Sequence, residues 1–115
     1  AELARPTLVN GPLAALAALS QFPALAGVVP GYGRFNPCPW GLGIEIRGEK
    51  SPHWTAPDAS ARTIGHFGQS GSFVWADRDL RASAAFVGAE PFGQWHHDNW
   101  STLNAELLRL AREHT

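Results

Sequence analysis

The sequence predicts an α+β fold: an N-terminal helix, a small antiparallel sheet of about three strands, and a C-terminal helix packed on that sheet. Three observations carry this. Leu13, Leu16, Ala17 and Leu19 recur at helical spacing near the start. Leu42, Ile44 and Ile46 alternate with Gly43, Glu45 and Arg47, and two further strand-like runs flank Asp77-Arg78-Asp79. Trp100, Leu103, Leu107 and Leu110 mark one face of a helix near the end.

The first helix is expected over residues 6–23. Asn10-Gly11-Pro12 is its start signal, because proline in the first turn loses no helical hydrogen bond, and Phe22-Pro23 ends it. Its apolar stripe reads as core packing. The other positions are Ala and Ser rather than the Lys and Arg of a membrane-surface helix. Residues 24–39 read as a connector, since Gly27, Pro30, Gly31, Gly33, Pro37 and Pro39 interrupt every period, with Tyr32 and Phe35 pinning it to the body. Cys38 reads as a small, half-buried residue.

The sheet and its loops are expected over residues 40–93. Trp40 to Arg47 forms the first strand, Gly48 to Pro52 a turn, His53-Trp54 a packing pair, and Thr55 to Thr63 a polar loop. Ser72 to Ala76 is a strand with Phe73 and Trp75 on one face. Arg81 to Val87 is its hairpin partner, and Ala84, Ala85, Phe86 and Val87 predict burial on both faces. The last helix is expected over 98–113, with Asp98 near its start and Arg109 and Arg112 near its end, which suits the helix dipole.

Composition excludes several classes. With 115 residues the chain is one domain or less. A net charge of −1 with no basic or acidic block gives no electrostatic footprint for nucleic acid. No apolar run is long enough to span a bilayer. The single cysteine permits no internal disulfide and leaves the compartment open, with the cytoplasm slightly favoured over export. Methionine is absent altogether, so the native start is expected to lie elsewhere. No metal is expected: His96, His97 and Asp98 are consecutive and do not share a helix face, which makes them a solvated helix entry.

The chemistry concentrates in Gly65-His66-Phe67-Gly68-Gln69-Ser70-Gly71-Ser72. Three glycines and two small hydroxyl residues surround one histidine. Glycine allows backbone to approach a ligand closely, so this is a site where main-chain N–H groups face a substrate. Ser70 is not read as a nucleophile, because Gly68-Gln69-Ser70-Gly71-Ser72 has Ser where the hydrolase elbow G-x-S-x-G needs its last Gly.

Trp40-Gly41-Leu42-Gly43, then His53-Trp54-Thr55, then His66-Phe67-Gly68-Gln69-Ser70-Gly71 running on to Trp75 resembles the C-terminal part of the serine β-lactamase-like hydrolases. The likeness covers residues 36–113. It points to the class C-like branch, with its β-lactamases, D,D-peptidases and esterases, and to an actinobacterial-type subgroup. The resemblance implies that His66-Phe67-Gly68 stands at the K/H-x-G motif, with His66, Gly68 and Gln69 as catalytic positions. Gln69 would supply an oxyanion-hole N–H and Gly68 would permit close approach. Phe67, Ser70 and Gly71 would bind substrate, with Phe67 where Thr or Ser is usual. That exchange removes a hydroxyl for a substrate carboxylate and leans the expectation toward an ester or amide.

One departure is large. The family's S-x-x-K is missing: the only lysine, Lys50, has Arg47 three residues before it, and Tyr32 is followed by Arg34 where Y-x-N would need Asn. The resemblance therefore implies that the chain is inactive alone, uses no cofactor, and has as its partner an N-terminal remainder carrying S-x-x-K. The substrate would be a small molecule or peptide-like. A non-catalytic binding domain on the same fold is the rival expectation. A third is self-association through an exposed sheet edge or apolar face.

Overall fold

The computed structural model describes residues 8–114. Asn10 caps the first helix, its side chain accepting the Leu13 N–H at 2.9 Å. With Pro12 in the first turn, this starts α1, Gly11–Ala17. The helix is shorter than the expected 6–23, of which residues 6 and 7 lie outside the described residues. It stops because Gln21 folds back, its Nε2 donating to the Leu16 and Leu19 carbonyls, and Phe22 turns the chain with φ 53°. The stripe is not core. Leu13, Leu16 and Leu19 are 46%, 46% and 58% exposed, and α1 buries none of its residues.

The connector holds structure of its own. β1, Gly27–Val29, and β2, Gly33–Phe35, form an antiparallel hairpin. Gly31 and Gly33, read from sequence as breakers, have φ of 83° and 110° and make its turn, a conformation costly for any residue with a Cβ. Val29 and Tyr32 anchor the hairpin in the core.

The main sheet has four strands in the order β3-β4-β5-β6, all antiparallel, rather than about three. β3 is Glu45–Ile46, β4 Thr63–Phe67, β5 Phe73–Asp77 and β6 Ala82–Phe86. Register places Gly65 opposite Trp75, His66 opposite Val74 and Phe67 opposite Phe73. Side chains alternate across a strand. Phe67, Phe73 and Trp75 therefore pack on one face, while Ile64 and Ala76 meet Ile46 and Ala18 on the other. Gly65 has a specific duty: a Cβ there would lie 2.4 Å from the Val74 oxygen and 2.9 Å from the Trp54 ring. Its bareness lets Trp54 lie against the strand. The turn into β6 closes on Asp77, whose buried carboxylate accepts from the Ser60 N–H at 2.7 Å, the Ser60 hydroxyl at 2.6 Å and the Leu80 N–H at 3.0 Å. β6 is an edge strand buried on one face only, and Val87 beyond it is 91% exposed, contrary to the two-sided burial expected.

α2, Gln94–Glu113, opens four residues before the expected 98. His96 is buried rather than solvated, its Nδ1 accepting the Gly93 N–H at 3.0 Å to close the first turn. The buried line runs through Trp100, Asn104 and Leu108. Leu103 and Leu107 are half-buried and Leu110 is exposed. Asn104 joins three elements: its oxygen accepts from Trp75 Nε1 at 2.8 Å, and its nitrogen donates to the Trp54 carbonyl at 2.8 Å.

Gly65, in the middle of β4, and Gly68, just beyond its end, make a test. Gly65→Ala is expected to lower stability by about 1–3 kcal/mol through the clash with Val74 and Trp54. Gly68→Ala, where the nearest atom is an ordinary 3.6 Å away, is expected to stay within about 0.5 kcal/mol. Urea unfolding midpoints of the two variants decide it.

Candidate functional site

A cleft of about 300 Å³ opens where β4 runs out of its partner strand. It is lined by Val29, Pro30, Trp40 and Glu45 together with His66, Phe67, Gly68 and Gln69. The sequence thus brought four of its six candidates to one cleft. Ser70 and Gly71 are not on its lining.

Strand geometry makes this edge available. The Arg47 N–H donates to the Thr63 carbonyl at 2.8 Å, and the Gly68 N–H donates to the Ser72 carbonyl at 3.0 Å. Backbone groups of alternate residues point to opposite edges of a strand. Thr63, Gly65 and Phe67 therefore aim theirs toward β3, and Ile64, His66 and Gly68 toward β5. β3 pairs with β4 only as far as Glu45 opposite Gly65. Among the described residues the backbone of Phe67 consequently faces an edge with no strand paired to it. Gln69 follows in the turn. Its carbonyl accepts from the Phe92 N–H at 2.9 Å, while among the described residues its own N–H meets no acceptor.

Each candidate side chain has a definite place. His66 is exposed, with its ring edge-on to Trp40 at 5.7 Å between centroids. The Phe67 ring packs among Tyr32, Trp54, Phe92 and Trp100, at 5.1 to 6.2 Å. It is thus chiefly a core residue with one flank on the cleft, which explains why a hydroxyl residue is not required for folding here. Gly68 is bare without structural need, because a Cβ would find only the Ser70 hydroxyl at 3.6 Å. Ser70 is exposed at the loop tip. Gly71 is a folding residue: its φ is 79°, and a Cβ would meet the Glu90 oxygen at 2.0 Å.

Sequence reasoning missed the group beneath the cleft. Glu45 was expected on the strand face opposite Leu42, Ile44 and Ile46, and Lys50 and His53 in a turn and a packing pair. All three are buried together. Glu45 Oε2 accepts from Lys50 Nζ and His53 Nε2, each at 2.7 Å, and Oε1 accepts from Trp54 Nε1 at 2.9 Å. Lys50 also donates to the Ile46 carbonyl at 2.8 Å. His53 Nδ1 receives the Thr55 N–H at 3.3 Å, so Nδ1 is the acceptor and Nε2 carries the proton given to Glu45. Burial alone would raise the Glu45 carboxyl, but the hydrogen bonds and charges of His53 and Lys50 outweigh it and hold the carboxyl at about 2. Burial pushes the His53 imidazole down against the pull of Glu45, which keeps it neutral. Burial likewise pushes the Tyr32 phenol up, and its ring stacks on His97 at 5.0 Å. Among the described residues no three or more metal-capable side chains converge.

No protein-family model matches the chain, and no curated protein matches it. Among solved structures it matches the crystal structure of a β-lactamase from Mycobacterium bovis, with a TM-score of 0.92 and 45% identity over 96% of this chain and 41% of that one. The fold is therefore β-lactamase-like, and the chain spans less than half the length of the protein it matches.

The Glu45 group sets an acid dependence. Both shifts favour the deprotonated folded state, so the unfolded chain binds more protons and stability falls with pH. The first loss is expected below about 6.5, as the unfolded-state His53 takes a proton that the folded state refuses. The second runs from about 4.5 down to 2 as Glu45 is neutralised. Thermal midpoints across pH 8 to 2 should show both stages, and His53→Gln should lack the first. Glu45→Ala should cost about 3–5 kcal/mol, because it strands Lys50 in the interior.

Proposed function

We propose that the chain forms the oxyanion wall of a serine β-lactamase-like hydrolase, of the class C-like branch and actinobacterial type. The nucleophile and its base would come from polypeptide outside this chain. One observation carries the reading: among the described residues the Gln69 N–H is an unused backbone donor beside a cleft, next to a glycine that folding does not require. An acyl-transfer site needs donors aimed where negative charge develops on the carbonyl oxygen, and a bare Cα that lets the carbonyl approach them.

The roles follow. A serine from outside the chain attacks the substrate carbonyl, and the Gln69 N–H donates to the oxyanion of the tetrahedral intermediate. The free Phe67 edge pairs with an extended substrate. The exposed His66 imidazole, steadied by Trp40, orients the leaving group or relays its proton. Collapse gives an acyl-enzyme, which water hydrolyses. The substrate is a β-lactam, ester or amide. Phe67 favours the latter two, since it offers no hydroxyl to a substrate carboxylate. The chain by itself is inactive.

The test separates backbone from side chain in the full-length gene product. Gln69→Pro removes the N–H and is expected to lower kcat by about 10²–10³-fold. Gln69→Ala keeps it and should stay within a few-fold. Equal effects of the two variants refute the role. A fluorophosphonate probe should label a serine outside this chain; labelling of this chain alone would overturn the reading that its nucleophile lies elsewhere, and no adduct on the gene product would leave a non-catalytic binding domain.

A further inference from the structure

We infer that His53 and Trp54 are positioning residues for the oxyanion wall: through the Glu45 carboxylate they fix the end of β4, and with it the Gln69 N–H, where a substrate carbonyl must meet it. This rests on the reading that Gln69 supplies that donor.

The end of β4 needs a support that backbone pairing does not give. Beyond Gly65 it is laddered only to β5 among the described residues. An oxyanion donor has to be held within about 0.5 Å of its working position. Trp54 supplies the support from the face of the sheet. It is buried, one of its ring atoms lies 2.9 Å from the point a Gly65 Cβ would occupy, and its ring centroid is 5.7 Å from those of Phe67 and Phe73. Two bonds set how that ring lies. Its Nε1 donates to Glu45 Oε1 at 2.9 Å, and the Trp54 carbonyl accepts from Asn104 at 2.8 Å.

His53 locks the carboxylate from the other side. A chain of hydrogen bonds runs inward from Arg47. Its Nε donates to Thr55 Oγ1 at 3.0 Å, that hydroxyl donates to His53 Nδ1 at 2.8 Å, and His53 Nε2 donates to Glu45 Oε2 at 2.7 Å. Arg47 can only donate, and Nδ1 also takes the Thr55 N–H, so the direction of the chain is fixed. Glu45 is thereby held on one oxygen by His53 and Lys50 and turns the other to Trp54. Folding alone gives weak reason for this arrangement, since hydrocarbon of the same volume often fills a core as well as a buried ion pair. Its location supplies the reason: Glu45 itself lines the cleft that holds His66, Phe67, Gly68 and Gln69.

The experiment uses the full-length gene product and two readouts. One is turnover of a p-nitrophenyl ester. The other is hydrogen exchange at the Gly68 amide, which donates to the Ser72 carbonyl at 3.0 Å. His53→Leu removes the donor to Glu45, and His53→Gln keeps one. Trp54→Phe keeps a ring and removes its N–H. His53→Leu and Trp54→Phe are each expected to lower kcat about tenfold with KM within about twofold. Each should also speed Gly68 exchange about tenfold while exchange in β6 is unchanged. The double variant should lose no more than either alone, because both act through Glu45. His53→Gln should restore both readouts. Ser60→Ala, which loosens the Asp77 turn at the other end of β4, should move neither. Unchanged kcat in an active enzyme, unchanged Gly68 exchange, additive losses, no rescue by His53→Gln, or an equal effect of Ser60→Ala would each overturn the inference. Faster Gly68 exchange in a gene product that hydrolyses no ester and takes no fluorophosphonate adduct leaves the strand-end support standing and removes the hydrolase reading instead.

Discussion

One buried carboxylate decides the shape of this molecule. Glu45 sits on a strand of only two residues, too short to hold its register by backbone pairing alone. Its side chain receives Lys50, His53 and Trp54. These bonds tie the turn and the loop after β3 back onto it. They also lay Trp54 against Gly65, the residue before His66. The position of the β4 edge therefore follows from an ion pair in the interior rather than from the ladder. A buried charge is costly unless its hydrogen bonds are complete. Here each oxygen is occupied, and the arrangement tolerates no partial version.

The cleft depends on the same economy of pairing. Because β3 stops opposite Gly65, the backbone groups of Phe67 on that side of β4 have no strand to pair with among the described residues. A longer first strand, as the alternation of residues 40–47 suggested, would have covered the Phe67 edge and closed the site. The chain prevents this by turning sharply at Gly41 to Gly43, where the Gly41 N–H reaches the Ile44 carbonyl at 2.7 Å. The glycines that looked like part of a strand are what end it.

How much was legible in the sequence differs by element. The β5–β6 hairpin and the last helix were visible because apolar period and turn residues agree there. The site stretch was visible because its chemistry is contiguous: Gly68 and Gln69 lie within four residues of Gly65. β4 was hidden because Gly65 and His66 break its apolar run, and the β1–β2 hairpin because its turn glycines read as loop. The Glu45 group was hidden for a different reason. Its members are five, eight and nine residues apart, a spacing with no local meaning, and burial of a Lys and a Glu is visible only once both are placed. The first helix was read with the right start signal, Asn10-Gly11-Pro12, but with longer bounds and the wrong environment. An apolar stripe at helical spacing does not by itself place its face in the core: Leu13, Leu16 and Leu19 stay exposed.

Asn104 carries a consequence for the last helix. Apolar content alone leaves the rotation of α2 about its own axis undecided, since a stripe through Leu103 and Leu107 offers the sheet as much hydrocarbon as one through Leu108. The amide removes that ambiguity. Its oxygen needs the Trp75 indole and its nitrogen needs the Trp54 carbonyl, and a turn of the helix by one residue strands both. The helix is therefore keyed rather than merely greased into place. Because the key engages both β5 and the loop braced by Glu45, a rolled helix and a displaced site strand are the same error.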